Sequence, residues 1–339
     1  MSERLPSVTI VIAARPGQAD VQAVAASRDL EYAVEKVEII VARGRQPSAQ
    51  RNGAMRAARG ELIYFLDDDS KPHLNNLKRA ISHFASPEVK MVGGPNLCPP
   101  EAPALEQVFA LVLASRVAFG PSRARYAAVG KARETNEKEL ILCNLLARRD
   151  AMLELGGFNE TLYPNEENAL MDQLQEGGGK LIYDPDLFVY RRPRANLGSF
   201  AKMLLTYGRG RAEQFRIHPT LGSALNFAPP LFCVFLLALI VMLVVVPWFG
   251  RILLMVFGFY LVGVLAQVAV LAFGRAPGQT ASLQRAGLFT RVMRSLAAAP
   301  LIILTHVLYG AGFWRGLFTN LGAPGKRPAP DVALEKLTK

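Results

Sequence analysis

The run Phe65-Leu66-Asp67-Asp68-Asp69-Ser70-Lys71-Pro72 ends an apolar stretch on three consecutive carboxylates. Three adjacent acids repel one another, and a bound cation or hydrogen-bond donors must offset that cost. Asp67 and Asp69 are two apart, so in extended backbone they share a side. Such a pair suits a hard divalent ion, Mg2+ or Mn2+, that keeps some waters and grips substrate phosphates. Read alone, the same run is equally a solvated acidic turn. A second acidic site follows in Tyr163-Pro164-Asn165-Glu166-Glu167-Asn168-Ala169-Leu170, shortly after Leu155-Gly156-Gly157-Phe158-Asn159-Glu160. Leu170, Met171 and Leu174 continue as a helix, which puts Glu166 and Glu167 near its start. Carboxylates there suit the helix dipole; the chemical alternative is that one acid is a general base within reach of a metal.

The elements that must position these acids form an α/β pattern. Apolar runs of strand length recur at Val8–Ile12, Val37–Val41, Leu62–Leu66 and Lys90–Gly94, with helical stretches at 18–28, 48–59 and 74–85 between them. Strand alternating with helix predicts a mostly parallel, Rossmann-like sheet covered on both faces. Asp67 to Asp69 would then lie at its carboxyl edge, where such folds bind ligands. Met1 to Pro6 is polar and the first apolar run is too short for a secretory leader, so this domain is expected to stay where it is made. Three widely spaced cysteines, Cys98, Cys143 and Cys233, fit a reducing compartment and neither a disulfide framework nor a zinc site.

Beyond residue 228 the composition changes. Of the 339 residues 51% are hydrophobic, and they concentrate in three segments near 228–249, 252–273 and 297–318. Each is near the ~20 residues that cross a bilayer as a helix; the third, with His306 and Arg315, is the weaker candidate, a re-entrant or interfacial segment being its alternative. The division expected is a catalytic domain over 1–190, a basic interfacial helical segment over 191–226, a membrane domain over 227–320 with two or three transmembrane helices, and a polar tail over 321–339. Residues 191–216 hold Arg191, Arg192, Arg194, Lys202, Arg209, Arg211 and Arg216 against one acid, Glu213. The loop after the second span carries Arg275, Arg285, Arg291 and Arg294 with no acid. The positive-inside rule places the first domain and that loop in the cytoplasm, at the inner (plasma) membrane. The net charge of +11 crowds this boundary, so anionic headgroups, and not nucleic acid, are the expected partner.

The combination of Val8-Thr9-Ile10-Val11-Ile12, Gln50-Arg51-Asn52-Gly53-Ala54, Phe65-Leu66-Asp67-Asp68-Asp69, Gly156-Gly157-Phe158 and Asn165-Glu166-Glu167-Asn168-Ala169-Leu170 resembles family 2 glycosyltransferases over about residues 7–190. These are inverting enzymes of GT-A fold. Val92-Gly93-Gly94-Pro95, Tyr207-Gly208-Arg209-Gly210-Arg211-Ala212 and His306-Val307-Leu308-Tyr309-Gly310-Ala311-Gly312 resemble its membrane-attached, succinoglycan-type subgroup. The resemblance implies Asp69 as direct metal ligand, with Asp67 nearer the nucleotide ribose and Asp68 between them. It implies Glu167, the second acid after Glu166, as the catalytic base. Arg51 falls on the donor side, and Arg209 and Arg211 fall where such enzymes place a basic motif against the diphosphate, headgroup binding being the alternative for that pair.

What is implied is transfer of a sugar from a nucleotide-diphosphate donor to a hydroxyl of a lipid-linked sugar or glycolipid, in cell-surface polysaccharide or glycolipid synthesis. Two alternatives stay open: a polyprenyl-phosphate glycosyltransferase, whose acceptor is already anionic and needs no base, and a catalytically silent sugar-nucleotide-binding membrane partner. Two departures stand out. The acidic pair here is Glu-Glu, one methylene longer at its second position than the family's usual Glu-Asp. After the second strand, where the family usually has acids that recognise the nucleobase, this chain has Ala42-Arg43-Gly44-Arg45.

Overall fold

The computed structural model describes residues 5–162, 164–217, 219, 221–274, 287–320 and 331–339, and divides into two compact units. The first gathers Met1–Pro99, Ala124–Arg192 and Gly322–Lys339, the second Pro100–Arg123 and Pro193–Leu321. The chain begins with β1 (Val8–Ala14), α1 (Gln22–Arg28), β2 (Val37–Arg43), α2 (Pro47–Ala57), β3 (Leu62–Asp67), β4 (Lys71–Pro72), α3 (Asn76–His83), β5 (Val89–Gly93) and β6 (Asn96–Leu97). It then leaves for the second unit through α4 (Ala104–Leu113) and α5 (Arg116–Phe119). On return it forms β7 (Arg133–Thr135), β8 (Asn144–Arg148), α6 (Arg149–Glu154), α7 (Glu166–Glu176), β9 (Lys180–Tyr183) and β10 (Val189–Tyr190). The second unit resumes with α8 (Leu197–Ile217), α9 (Ala228–Val245), α10 (Pro247–Phe273) and α11 (Leu288–Phe318), and β11 (Ala333–Thr338) rejoins the first.

Strands β1 and β3 are buried at almost every position because the sheet is covered on both faces. Ile10, Ile12, Tyr64 and Leu66 enter one core with Leu77 and Phe84, while Val11, Ile63 and Phe65 enter the other with Met55, Leu170 and Met171. The eight-stranded sheet has the order β11-β2-β1-β3-β8-β5-β9-β7. It is mixed, which corrects the expectation of a mostly parallel sheet. β1 is parallel to β2 and β3, and β5 to β9, but β8 runs antiparallel between β3 and β5, as do β11 beside β2 and β7 beside β9. Apolar runs reveal that strands exist; their direction depends on where a distant connection returns, and β8 follows the excursion through α4 and α5.

Part of the stretch expected as a polar tail over 321–339 is a strand. Residues 333–338 form β11, antiparallel to β2 from Ala333↔Arg43 to Thr338↔Glu38. Its apolar residues are few and its charges several, as edge strands commonly are, so periodicity alone does not disclose it. Residues 321–330, with Lys326 and Arg327, lie outside the described residues, as do Tyr163 and the 275–286 part of the basic loop, with Arg275 and Arg285.

In the second unit three helices are long and apolar enough to cross a membrane: Ala224–Val245, Pro247–Phe273 and Leu288–Phe318. Apolar side chains such as Leu237, Val244, Phe259 and Phe273 remain exposed along them, as lipid-facing residues do. α8 lies against α11 at backbone distance: a Cβ on Gly208 would meet the Tyr309 carbonyl oxygen at 2.0 Å, and one on Gly312 that of Leu205 at 2.2 Å. Sequence reading missed α4 and α5, which fall short of a span individually and form a pair bent by 56°. Side chains of the long helices satisfy the start of α5. Gln267 accepts the Val117 N–H at 3.4 Å and His306 Nε2 lies 3.0 Å from the Val117 carbonyl oxygen. A carbonyl only accepts, so Nε2 carries the proton and Nδ1 accepts from the Tyr260 hydroxyl at 2.8 Å. His306 is therefore an interhelical staple.

Candidate active site at the carboxyl edge

β1, β2 and β3 end together, Ala13 opposite Asp67 and Ala14 opposite Arg43, so their following loops meet at one edge. The Ser70 N–H closes a turn onto the Asp67 carbonyl oxygen at 3.0 Å. Within this turn each of the three carboxylates has a side-chain donor, and two of them share one. Asp68 accepts from the Gln18 side-chain amide at 2.6 Å. Asp67 accepts from Arg51 Nη2 at 3.0 Å and from Arg191 Nη1 at 3.1 Å, and Asp69 accepts from Arg191 Nε at 2.5 Å. One guanidinium thus bridges Asp67 and Asp69. Arg191 is delivered there by the small sheet in which β10 pairs antiparallel with β4: β4 begins two residues after the acidic turn and β10 ends just before Arg191.

Three consecutive residues of α2 hold three parts of the site. Proline at the first helical position and the Gln46 side chain, which accepts the Ala49 N–H, start this helix. Gln50 donates to the carbonyl oxygens of Ala14 at 2.8 Å and Ala42 at 2.6 Å, tying the ends of β1 and β2. Arg51, buried, reaches Asp67 on one side and Glu166 Oε1 at 3.1 Å on the other. Asn52 accepts the Phe158 N–H and donates to the Phe158 carbonyl oxygen, both at 2.8 Å, which pins the loop that follows Gly157. Gly157 has φ +84°, and a Cβ there would meet Asn52 Oδ1 at 2.5 Å, so only glycine fits.

Glu166 and Glu167 open α7 behind Asn165, whose φ of 91° is the one positive value among described non-glycine residues. The Asn168 side chain holds Asn165 there by donating to its Oδ1 at 2.8 Å. The two glutamates differ sharply. Glu166 is 2% exposed, its Oε2 is buried with no hydrogen-bond partner, and burial together with the neighbouring Glu167 pushes its pKa up to about 8 against the pull of Arg51. Glu167 is only half-buried.

The structure therefore links Asp67, Asp69, Arg51 and Glu166 in one network through Arg191, holds Asp68 separately under Gln18, and leaves Glu167 adjacent in sequence. Glu166, Arg51, Asp67, Arg191 and Asp69 form a row alternating in sign. Arg209 and Arg211 lie in the other unit on α8, where Arg209 pairs with Glu213 at 3.4 Å and Arg211 donates to Gln214 at 3.2 Å. Arg191, grouped by sequence with the membrane-boundary arginines, belongs to the first unit and to this network. Nothing local distinguishes it from Arg192. Gln18 was also missed, having only a Gly17-Gln18 turn to mark it. Among the described residues no group of three or more His, Cys, Asp or Glu is placed to hold a metal.

The fold is thus a two-faced α/β sheet with an acidic turn at its carboxyl edge, a second acid on a following helix and long apolar helices after it. The model of "Glycosyl transferase family group 2" matches residues 62–270, well over half the sequence, and the chain belongs to that family. Succinoglycan biosynthesis protein ExoA of Rhizobium meliloti is 30% identical over 210 residues, which are 60% of this chain and 54% of that protein. Pre-mycofactocin glycosyltransferase of Mycobacterium tuberculosis is 26% identical over 184 residues, 51% of this chain and 36% of that protein. The chain thus spans between a third and about half the length of the curated relatives it matches. Among solved structures, mannosyltransferase PcManGT from Pyrobaculum calidifontis, in complex with GDP-Man and Mn2+, aligns over 93% of this chain and 88% of its own with a TM-score of 0.52. At 16% identity that likeness is one of fold.

Proposed function

We propose that this glycosyltransferase is an inverting, membrane-anchored enzyme of succinoglycan type. It moves a sugar from a nucleotide-diphosphate donor to a hydroxyl of a lipid-linked sugar or glycolipid at the cytoplasmic face of the inner membrane. The observation that carries this reading is the sign-alternating row from Glu166 to Asp69 at the carboxyl edge of β3. The donor lies along that edge, with its diphosphate toward the acidic turn. Asp69 and Asp67 supply hard oxygen donors of the kind Mg2+ and Mn2+ take, the remaining ligands being water and donor phosphates. PcManGT was solved with Mn2+ and a GDP-sugar, which supports this choice. Such an ion supplies charge stabilisation to a departing nucleoside diphosphate. Arg51 and Arg191 fix the two carboxylates and keep their charge balanced. Glu166 is engaged with Arg51 and buried, so the half-buried Glu167 is the acid that takes the acceptor hydroxyl's proton.

The test is nucleoside diphosphate release by detergent-purified protein, screened over UDP-, GDP- and dTDP-sugars with Mn2+ or Mg2+ and extracted membrane lipids. Asp69→Asn should lower release by about a hundredfold or more, the scale of losing one charge-stabilising group. Glu167→Gln should lower it by about 10²–10⁴ for a hydroxyl acceptor. Undiminished turnover in Glu167→Gln would establish a phosphate acceptor. No release from any donor by folded protein would establish a silent binder.

Topology gives a second expected result. The pairing of β11 with β2, in the unit the chain leaves at Arg192, supports an even number of full crossings between them. On this reading α9 and α10 would be the two crossings and α11, with Arg291, Arg294 and Arg315, a re-entrant or interfacial helix. Tags at residue 1 and after residue 339 should both be digested by protease in inside-out vesicles; protection of the second alone would establish a third crossing.

A further inference from the structure

The basic loop after β2 has no carboxylate of its own, yet the structure supplies one from nearly three hundred residues away. Arg43, the last residue of β2, donates from Nη2 at 3.0 Å and from Nε at 3.2 Å to Glu335 Oε2 on β11. The remaining arm, Nη1, donates to the Gln18 carbonyl oxygen at 2.7 Å. Gln18 in turn donates its side-chain amide to Asp68 at 2.6 Å, and accepts the Arg15 N–H at 3.2 Å. A continuous series of hydrogen bonds therefore runs from β11 through Arg43 and the first loop to the acidic turn. The approach to β11 also borders this edge: a Cβ on Gly44 would lie 3.3 Å from the Asp331 carbonyl oxygen, and one on Gly53 3.6 Å from Val332 Cγ1.

The Arg43–Glu335 pair is too exposed to matter much for stability, with side-chain exposures of 26% and 47%. Its consequence is geometric and electrostatic. Arg15, Arg43 and Arg45 gather at the ends of β1 and β2. Without a partner, the Arg43 guanidinium is attracted to the next available anion, which at this edge is the acidic turn or a donor phosphate. Glu335 satisfies it and holds its third arm on the first loop, leaving Asp68 under Gln18 and Asp67 and Asp69 under Arg191.

We propose that β11 is a built-in part of the donor site: Glu335 is a positioning residue that, through Arg43 and Gln18, sets the first loop and the acidic turn for the nucleoside end of a nucleotide-diphosphate sugar. This rests on the reading that the donor lies along the carboxyl edge of β1 to β3. It resolves the departure seen in the sequence, since the acid expected in the loop after β2 is delivered from an edge strand.

The experiment uses the full chain in detergent and four variants: Glu335→Gln, Arg43→Ala, the two combined, and a deletion of residues 331–339. GDP, UDP and dTDP binding, donor KM, acceptor KM, kcat and melting temperature are measured for each. For Glu335→Gln, donor KM should rise about tenfold, the fold-change for a lost charge-assisted hydrogen bond, with kcat, acceptor KM and melting temperature unchanged. The combined variant should be no worse than Arg43→Ala, because both act through one series of contacts. Adding a peptide of residues 331–339 to the deleted protein should recover nucleotide binding. Wild-type donor KM and nucleotide affinity in Glu335→Gln would overturn the proposal, even if the deletion fails to fold. Failure of the wild-type protein to bind any of the three nucleotides would overturn the donor-site reading itself, and this inference with it.

Discussion

Arg51→Ala is expected to destabilise the catalytic unit by about 1–3 kcal/mol, the scale of leaving a buried acceptor without its donor. The side chain is buried and divides its two Nη groups between Asp67 at 3.0 Å and Glu166 at 3.1 Å. Its removal leaves Glu166 deep in the protein with no cation and frees Asp67 on its Arg51 side. Lysine does not repair this. A single ammonium lacks the planar fork that reaches two acids at once, so Arg51→Lys should recover only part of the loss. The informative variant is Arg51→Met with Glu166→Met, which removes the buried charge along with its partner. Replacing a buried pair by apolar side chains of similar volume is often neutral or better. The double variant should therefore melt near the wild-type temperature while nucleoside diphosphate release stays abolished. That divergence separates the role of Arg51 in folding from its role in aligning Asp67 with α7. If the double variant melts as low as Arg51→Ala, the buried Glu166 carboxyl is not what Arg51 stabilises.

The parts of this site that were legible in the sequence are those carried by contiguous residues. β1, β2, β3 and β5 appear as apolar runs because both faces of each strand are covered, and Asp67 to Asp69 stand out because three acids end such a run. The Gln50-Arg51-Asn52 and Glu166-Glu167 motifs were visible as motifs. Their meaning was not, since Gln50, Arg51 and Asn52 point their hydrogen bonds at Ala14, Ala42, Asp67, Phe158 and Glu166, between 8 and 115 residues away. The direction of β8 depends on a return from the second unit. β11 is nearly invisible, because its charges serve Arg43 and Glu38 across the edge and interrupt any alternation. Arg191 sits among other arginines, and only the pairing of β10 with β4 selects it as the bridge between Asp67 and Asp69. Local pattern reports burial and periodicity; contacts made across the sheet leave no local trace.

Glu166→Gln is expected to remove a pH dependence of stability that the wild-type protein carries between mildly acidic and mildly basic pH. The row from Glu166 to Asp69 contains three acids and two arginines. With all five ionised it is negative, and the excess falls on the group least able to bear it. Glu166 is buried, its Oε2 has no partner, and Glu167 adjoins it, so its pKa is pushed up to about 8 although Arg51 pulls the other way. Protonation there makes the row neutral while leaving Oε1 to accept from Arg51. In the unfolded chain the same carboxyl has an ordinary pKa near 4.3. Because the folded pKa is the higher one, the folded state binds the proton more tightly. The stabilisation is then complete below the unfolded pKa and is lost as pH rises through the folded pKa. Between pH 5 and pH 9 the wild-type melting temperature should fall relative to Glu166→Gln, by an amount corresponding to a few kcal/mol. The amide keeps a side-chain acceptor for Arg51 and cannot ionise, so the variant should be the more stable of the two at pH 9. A constant difference across the range would mean that Arg51 outweighs burial and holds Glu166 ionised throughout. The row would then carry a net negative charge, with Arg51 and Arg191 shared among three ionised acids.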